Sequence, residues 1–436
     1  MFTAPRFVVI DDDPNHLAAI ANNVQRLGSA CAQVVYSPEV DPPKELFSAV
    51  RILFMDLQLR DRSASSDFKN HYAEIQRLLQ HVIEAPAGPY LLVLWTDSPD
   101  RADELLTYLE KNLFPDAPHT RPVGIVPLSK NDFISAKTGA ETSEGLLAAI
   151  LELLEEQPAM SALLLWESEV VGAASLVLAD IVTLAGELAQ EKALANLLRT
   201  ICVSAVGGAN VELNPRSSLQ AALLPLLQDH LQNGEYQSES WSSFFDDAMD
   251  SGRTLTKRQV TLLNTKFHVT RPDGSQPIAA SEWGAISTLE TNMDWGEFDL
   301  QSAEQFVQRE VSRHVGNLSA EQIAGTDVVQ IRVGAACDYA QKASGPIPYV
   351  LAALLPGKTD EVKRHKLASN ATCWLSPEVD LGGGPVQIFV DPRFVRVRGP
   401  ASTAEFTPIA RIKEQLLLAL VATIGHHNMR PGITSF

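Results

Sequence analysis

Through the first third of the chain, apolar residues come in short unbroken runs separated by amphipathic stretches. The runs FVVI, AQVVY, ILFMDL, YLLVLWT and VGIVPL do not alternate with polar positions. This predicts strands covered on both faces, as in a parallel sheet. Between them lie PNHLAAIANNVQRLG, PPKELFSAV, DFKNHYAEIQRLLQHVIEA, DRADELLTYLEKN and SEGLLAAILELLEEQ, read as helical patterns. Five β-then-α units over residues 1–157 predict a doubly wound α/β domain with helices on both faces of the sheet.

The texture then changes twice. Residues 158–320 predict a helical linker or interaction region: a long helical pair to about Gly207, then more polar helices interrupted by the turn-rich TRPDGSQP. Residues 321–436 predict a small β-rich domain, a mostly antiparallel barrel or sheet. Its runs DVVQIRV, PYVLAALLPG, ATCWLSP, GPVQIFVDP and RFVRVRG are parted by Gly and Pro, LGGGP reads as a hairpin turn, and PIARIKEQLLLALVATIG reads as a closing amphipathic helix.

Composition narrows the function classes. A chain of 436 residues that is 45% hydrophobic exceeds the size of a single core, so at least two domains are expected. The net charge of −18, with no strongly basic patch and no helix-turn-helix, argues against a nucleic-acid partner. Cys31, Cys202, Cys337 and Cys373 show no CxxC spacing, so neither a disulfide framework nor a zinc knuckle is expected. The most apolar stretch is interrupted by Glu167, Glu169 and Asp180. A soluble, cytoplasmic protein with no membrane partner is the expectation.

The ends of the predicted strands carry the chemistry. Asp11 and Asp12 end the first, Asp56 the third and Thr96 the fourth, and Lys130 follows the fifth. Parallel strands bring these residues to one sheet edge, where ligands of such folds bind. Carboxylates gathered there repel one another unless a cation joins them, and Mg²⁺ suits oxygen ligands of this kind. A phosphoryl group arriving there would meet a carboxylate nucleophile, a metal, a lysine and a hydroxyl.

In that order on five βα units, these residues resemble the receiver domain of two-component response regulators, which has a flavodoxin-like fold. The resemblance covers about a third of the chain. It implies that Asp56 accepts a phosphoryl group from a histidine kinase or phosphotransfer protein. It also implies that Asp11, Asp12, Asp56 and the backbone carbonyl of Gln58 bind Mg²⁺, and that Thr96 and Lys130 contact the phosphoryl oxygens. The sequence departs from the family at Pro127, where receivers often carry an aromatic, and at Asn131, where they commonly carry proline. With the wider spacings and the long helical extension, these departures resemble the divergent receivers of bacterial anti-phage conflict systems of the Detocs type.

The remaining residues give weaker signals. There is no P-loop, no GxSxG and no HExxH. Cys337 beside Asp338, Glu361 with Lys363, and the pair His426 and His427 read as structural or surface positions rather than active-site groups. The expectation is a phosphoacceptor that acts as a signalling intermediate or phosphoryl sink, with a separate effector protein. The rivals are a receiver-controlled effector enzyme with its active site in 208–436 and an unphosphorylated scaffold.

Overall fold

The computed structural model describes residues 4–59, 68–86, 88–134, 145–187, 193–233, 255–272, 277–316, 318–335, 339, 345–356 and 373–429. The readings placed on Cys337, Asp338, Glu361 and Lys363 lie outside the described residues.

Strands β1 (Phe7–Asp11), β2 (Cys31–Val35), β3 (Ile52–Met55), β4 (Leu91–Thr96) and β5 (Gly124–Ser129) form one parallel sheet in the order β2-β1-β3-β4-β5. The three central strands are buried along their whole length, as their unbroken apolar runs require. Alternate residues feed two cores. Phe7, Val9, Ile52, Phe54, Val93 and Trp95 pack with helices α1 (Pro14–Arg26) and α5 (Gly145–Glu155) through Leu17, Ile20, Leu146 and Ile150. Val8, Ile10, Leu53, Met55, Leu92 and Leu94 pack with α2 (Lys69–Val82) and α3 (Ala102–Asn112) through Ile75, Leu78, Leu105 and Leu109. This is a flavodoxin-like, doubly wound domain. A single helical turn, α4 (Lys130–Phe133), follows β5, and the PPKELFSAV stretch between β2 and β3, read as helical, is only a 3-10 turn over Lys44–Phe47.

Two devices fix the start of α1, directly after the first acidic stretch. Pro14 occupies the first turn, where a missing N–H costs nothing, and the Asp13 side chain accepts a hydrogen bond from the Asn15 N–H at 2.8 Å. The helix therefore begins immediately beyond Asp11 and Asp12 and holds them at the sheet edge.

Helix α6 (Pro158–Glu187) continues the chain, and Glu167 on it meets Arg51 with Nε–Oε2 at 3.0 Å. Among the described residues it is the one helix long and apolar enough to cross a membrane by length and composition, and 22% of its most apolar window is buried. Further helices span Ala193–Val206, Gly208–Leu213, Pro215–Asn233 and Lys257–His268. By compactness the chain divides into Met1–Val177 with Asp229–Gly252, and Leu178–Gln228 with Arg253–Phe436.

The C-terminal domain is an antiparallel half-barrel. Its strands are β6 (Val269–Thr270), β7 (Ala285–Thr288), β8 (Asp327–Arg332), β9 (Ile347–Pro356), β10 (Trp374–Leu375), β11 (Val379–Asp380), β12 (Pro385–Arg398) and β13 (Pro408–Ile412). They run in the order β10-β12-β9-β8-β7-β13-β6, with β11 on β12. The hairpin at LGGGP is present: Val379 pairs with Val386, and Gly382 and Gly384 adopt φ of 113° and 110°, which a side chain would oppose.

Three further local readings are corrected. Strands β6 and β7 fall in the region read as helical, but they are too short for a period-2 pattern to register. The runs GPVQIFVDP and RFVRVRG are one strand, β12, which absorbs Asp391 and Pro392 in a register shift between Val390 and Val395. The closing stretch is not all helix. Pro408–Ile412 pairs with β7 and β6 as β13, and the helix starts at Glu414.

Candidate functional site

Strand register assembles the acidic pocket. In the β1–β3 ladder Ile10 faces Met55, so the next residues, Asp11 and Asp56, come out side by side at the carboxyl edge. In the β4–β5 ladder Thr96 faces Ser129, which delivers Lys130 one residue later. The order places β1 and β3 together at the centre, where the connections leave in opposite directions and open a crevice.

Lys130 is 1% exposed, and its ammonium lies 2.7 Å from Asp11 Oδ2 and 2.9 Å from Asp56 Oδ2. Both carboxylates are buried. Asp11 Oδ1 accepts from the Asp13 N–H at 2.9 Å, and Asp56 Oδ1 accepts from the Gln58 N–H at 3.1 Å. Asp12 is exposed, yet a carboxylate oxygen from each of Asp11, Asp12 and Asp56 lies within 4.8 Å of the others. Thr96 is buried at the end of β4, and its Oγ1 accepts from the Ser98 N–H at 3.1 Å.

Electrostatics divide the three acids. Burial works to raise the Asp11 carboxyl, but the His16 imidazole and the Lys130 charge outweigh it and hold Asp11 below the usual carboxylate range. Burial raises Asp12, and the charges of Asp11 and Asp56 push it the same way. Burial also raises Asp56, against the opposing pull of Lys130. Lys130 itself would be lowered by burial, but Asp56 and Asp11 hold it protonated. One ammonium is thus shared among three carboxylates, and Asp12 and Asp56 carry the unbalanced charge. A divalent cation among them would remove that imbalance, and an all-oxygen donor set with an open side suits Mg²⁺.

The pocket therefore brings together Asp11, Asp12, Asp56 and Lys130, with Thr96 at the end of β4 and Gln58 on the loop after β3. Two neighbours escaped the sequence reading. His16, in the first turn of α1, places Nδ1 3.3 Å from Asp11 Oδ1 and Nε2 3.8 Å from Asp13 Oδ2. The available signal was its position three residues into a helix, whose side chains lean back toward the N-terminus. Phe133 stacks on Trp95 with ring centroids 6.3 Å apart, which puts an aromatic pair beside Thr96 and Lys130 although Pro127 stands at the expected aromatic position. Compared with family models, with curated proteins and with solved structures, the chain matches none.

Proposed function

We propose that the N-terminal domain is a receiver-type phosphoacceptor, in which Asp56 takes a phosphoryl group from a histidine kinase or phosphotransfer protein. The observation that carries this reading is the convergence of Asp11, Asp12, Asp56 and Lys130 at the switch point of a parallel sheet. Asp11, Asp12 and Asp56, with the Gln58 carbonyl, would hold Mg²⁺, which supplies positive charge against the phosphoryl oxygens when bound.

The chain's own residues do the rest. An oxygen of Asp56 attacks phosphorus in line. The new O–P bond forms as the donor's P–N bond breaks, or its P–O bond in a small phosphodonor, and the leaving group keeps the electron pair. Lys130 then trades its contact with Asp56 for a phosphoryl oxygen, and the Thr96 hydroxyl donates to another. Asp11 stays fixed by the Asp13 N–H and His16 and serves as an anchor, not as a nucleophile.

In this reading the protein is a cytoplasmic signalling intermediate or phosphoryl sink that works with a separate effector, in a phosphorelay of the Detocs anti-phage type. Pro127 and the long helical extension support an output that stays near the receiver. The charge of −18 supports the absence of a nucleic-acid partner. Glu167, Glu169 and Asp180 within helix α6 support a helix that does not cross a membrane, since charged side chains in the hydrocarbon core are costly.

The test is label transfer from a small phosphodonor. Incorporation should require Mg²⁺ and vanish in Asp56→Asn. Label retained in that variant would remove Asp56 from the role.

A further inference from the structure

The C-terminal domain holds a group of side chains that the phosphoacceptor reading does not use. Trp374 pairs with Val390 and Leu375 with Phe389, so the register sets Cys373 opposite Asp391. Asp391 stands where β12 loses register with β9, between Val390 and Val395, a place where bulges commonly re-aim side chains. The third member comes from across the fold. Residues Phe306–Val311 are wound as a π-helix, and the following turn, Ser312–Val315, carries His314 over β12, where its ring lies against Phe389 at 6.0 Å. Single π turns of this kind recur at functional sites because the extra residue re-aims the side chains of the next turn.

We propose that His314, Cys373 and Asp391 form a binding site for a thiophilic divalent metal of the zinc class. One nitrogen, one sulfur and one carboxylate oxygen from these residues lie within 4.8 Å of one another. His314 Nε2 is 3.6 Å from Asp391 Oδ2, and that nitrogen is buried without a hydrogen-bond partner. Donors on a common tetrahedral zinc stand roughly 3.3–3.6 Å apart, so this pair is already at ligand spacing. The Asp391 side chain is fully buried. Arg393 holds it through its backbone N–H at 3.0 Å and its guanidinium, whose Nη2 also reaches Glu310 at 2.9 Å. Both carboxylate oxygens accept from Arg393, Oδ1 from the backbone N–H and Nε, Oδ2 from Nε and, at 2.6 Å, from Nη2, so the carboxylate is fixed and a metal on Oδ2 would share that oxygen with the guanidinium.

The donor types choose the metal. Mg²⁺ and Ca²⁺ take oxygen, whereas imidazole with thiolate selects zinc and its neighbours. On binding, the Cys373 thiol loses its proton to solvent and the sulfur keeps the electron pair for the metal. Three protein ligands leave a fourth position for water.

Cobalt(II) titration of the full-length protein, stripped with a chelator, tests the site. The expected result is a sulfur-to-cobalt charge-transfer band that saturates at one ion per chain and is displaced by Zn²⁺. The acidic pocket contains no sulfur and cannot produce that band. Cys373→Ser should abolish it, and His314→Gln should weaken binding by at least about tenfold. His314→Gln serves as the second variant if Cys373→Ser disturbs β10. The absence of the band in the wild type, or its survival in Cys373→Ser, overturns the proposal. So does alkylation of Cys373 at the same rate with and without Zn²⁺, since a ligated thiolate is protected and an unligated nucleophile is not.

Discussion

Replacing Lys130 with methionine isolates what the buried ammonium contributes. In the wild type it lies 2.7 and 2.9 Å from two buried carboxylates, with Asp12 close by. Methionine keeps most of the stem and removes the charge, which leaves Asp11 and Asp56 side by side with no cation. The cheapest relief is for one carboxyl to bind a proton that the other then shares. Holding a carboxyl neutral at about pH 7 against an unfolded pKa of about 3.9 costs up to roughly 4.2 kcal/mol, and at about pH 5 only roughly 1.5 kcal/mol. The first figure matches the roughly 3–5 kcal/mol expected when one partner of a buried ion pair is removed. The variant's folded state binds a proton that its unfolded state lacks, so its stability falls as pH rises from about 4.

Amide hydrogen exchange of the peptides covering β1 and β3, in the full chain, reports this locally. After correction for intrinsic rates, the variant should exchange about a thousandfold faster than the wild type near pH 7 and only about tenfold faster near pH 5. Mg²⁺ at a hundred times its dissociation constant should recover about 2.7 kcal/mol. Protection within a factor of about three of the wild type near pH 7, or a deficit that does not shrink on acidification, would show that the ammonium does not hold the carboxylates.

Other expectations are briefer. Asp12→Ala should lose Mg²⁺ affinity and phospholabelling together, and calorimetric titration with Mg²⁺ separates this from a folding defect. Glu290 in the C-terminal domain is raised by burial but held below its ordinary value by Arg396 and Arg398, so it stabilises the fold above about pH 4.5 and loses that effect as pH falls through its lower folded value. Glu290→Gln, which strands the buried Arg396, should cost roughly 3–5 kcal/mol at neutral pH and flatten the acid limb of a melting-temperature profile. At Gly284, with φ of 83°, a Cβ would meet the Ile412 carbonyl oxygen at 2.6 Å. Gly284→Ala should therefore lower the urea midpoint of this domain by the equivalent of about 2–4 kcal/mol. No site-dependent duplex binding is expected in gel shifts at moderate salt, phosphorylated or not.

The N-terminal domain could be read from the sequence because its three central strands are buried on both faces. A run such as LLVLW has no competing interpretation once amphipathic helices flank it. The half-barrel was harder, since its information is in pairing rather than in local pattern. Val269–Thr270 is a strand only because Arg411 and Ile412 lie beside it, and Pro408–Ile412 loses its helical appearance only when β7 is present. Asp391 and Pro392 look like a break between two strands. They become a bulge because β9 pairs on both sides of them.

The same contrast separates the two sites. Asp11, Asp56 and Lys130 each stand at the end of a strand whose identity is certain from composition, so a parallel topology alone brings them to one edge. His314, Cys373 and Asp391 come from the turn that follows a π-helix, the residue before a two-residue strand and a bulge. None of the three follows a regular period, and irregular backbone is what lets residues 59 and 77 positions from His314 meet its ring. Regular elements thus place the charged pocket, and deviations from regularity place the mixed-donor cluster. A residue inserted in the Phe306–Val311 turn should therefore abolish cobalt binding at Cys373 while leaving Mg²⁺-dependent labelling of Asp56 intact. Loss of both together would mean that the two sites do not depend on separate pieces of backbone.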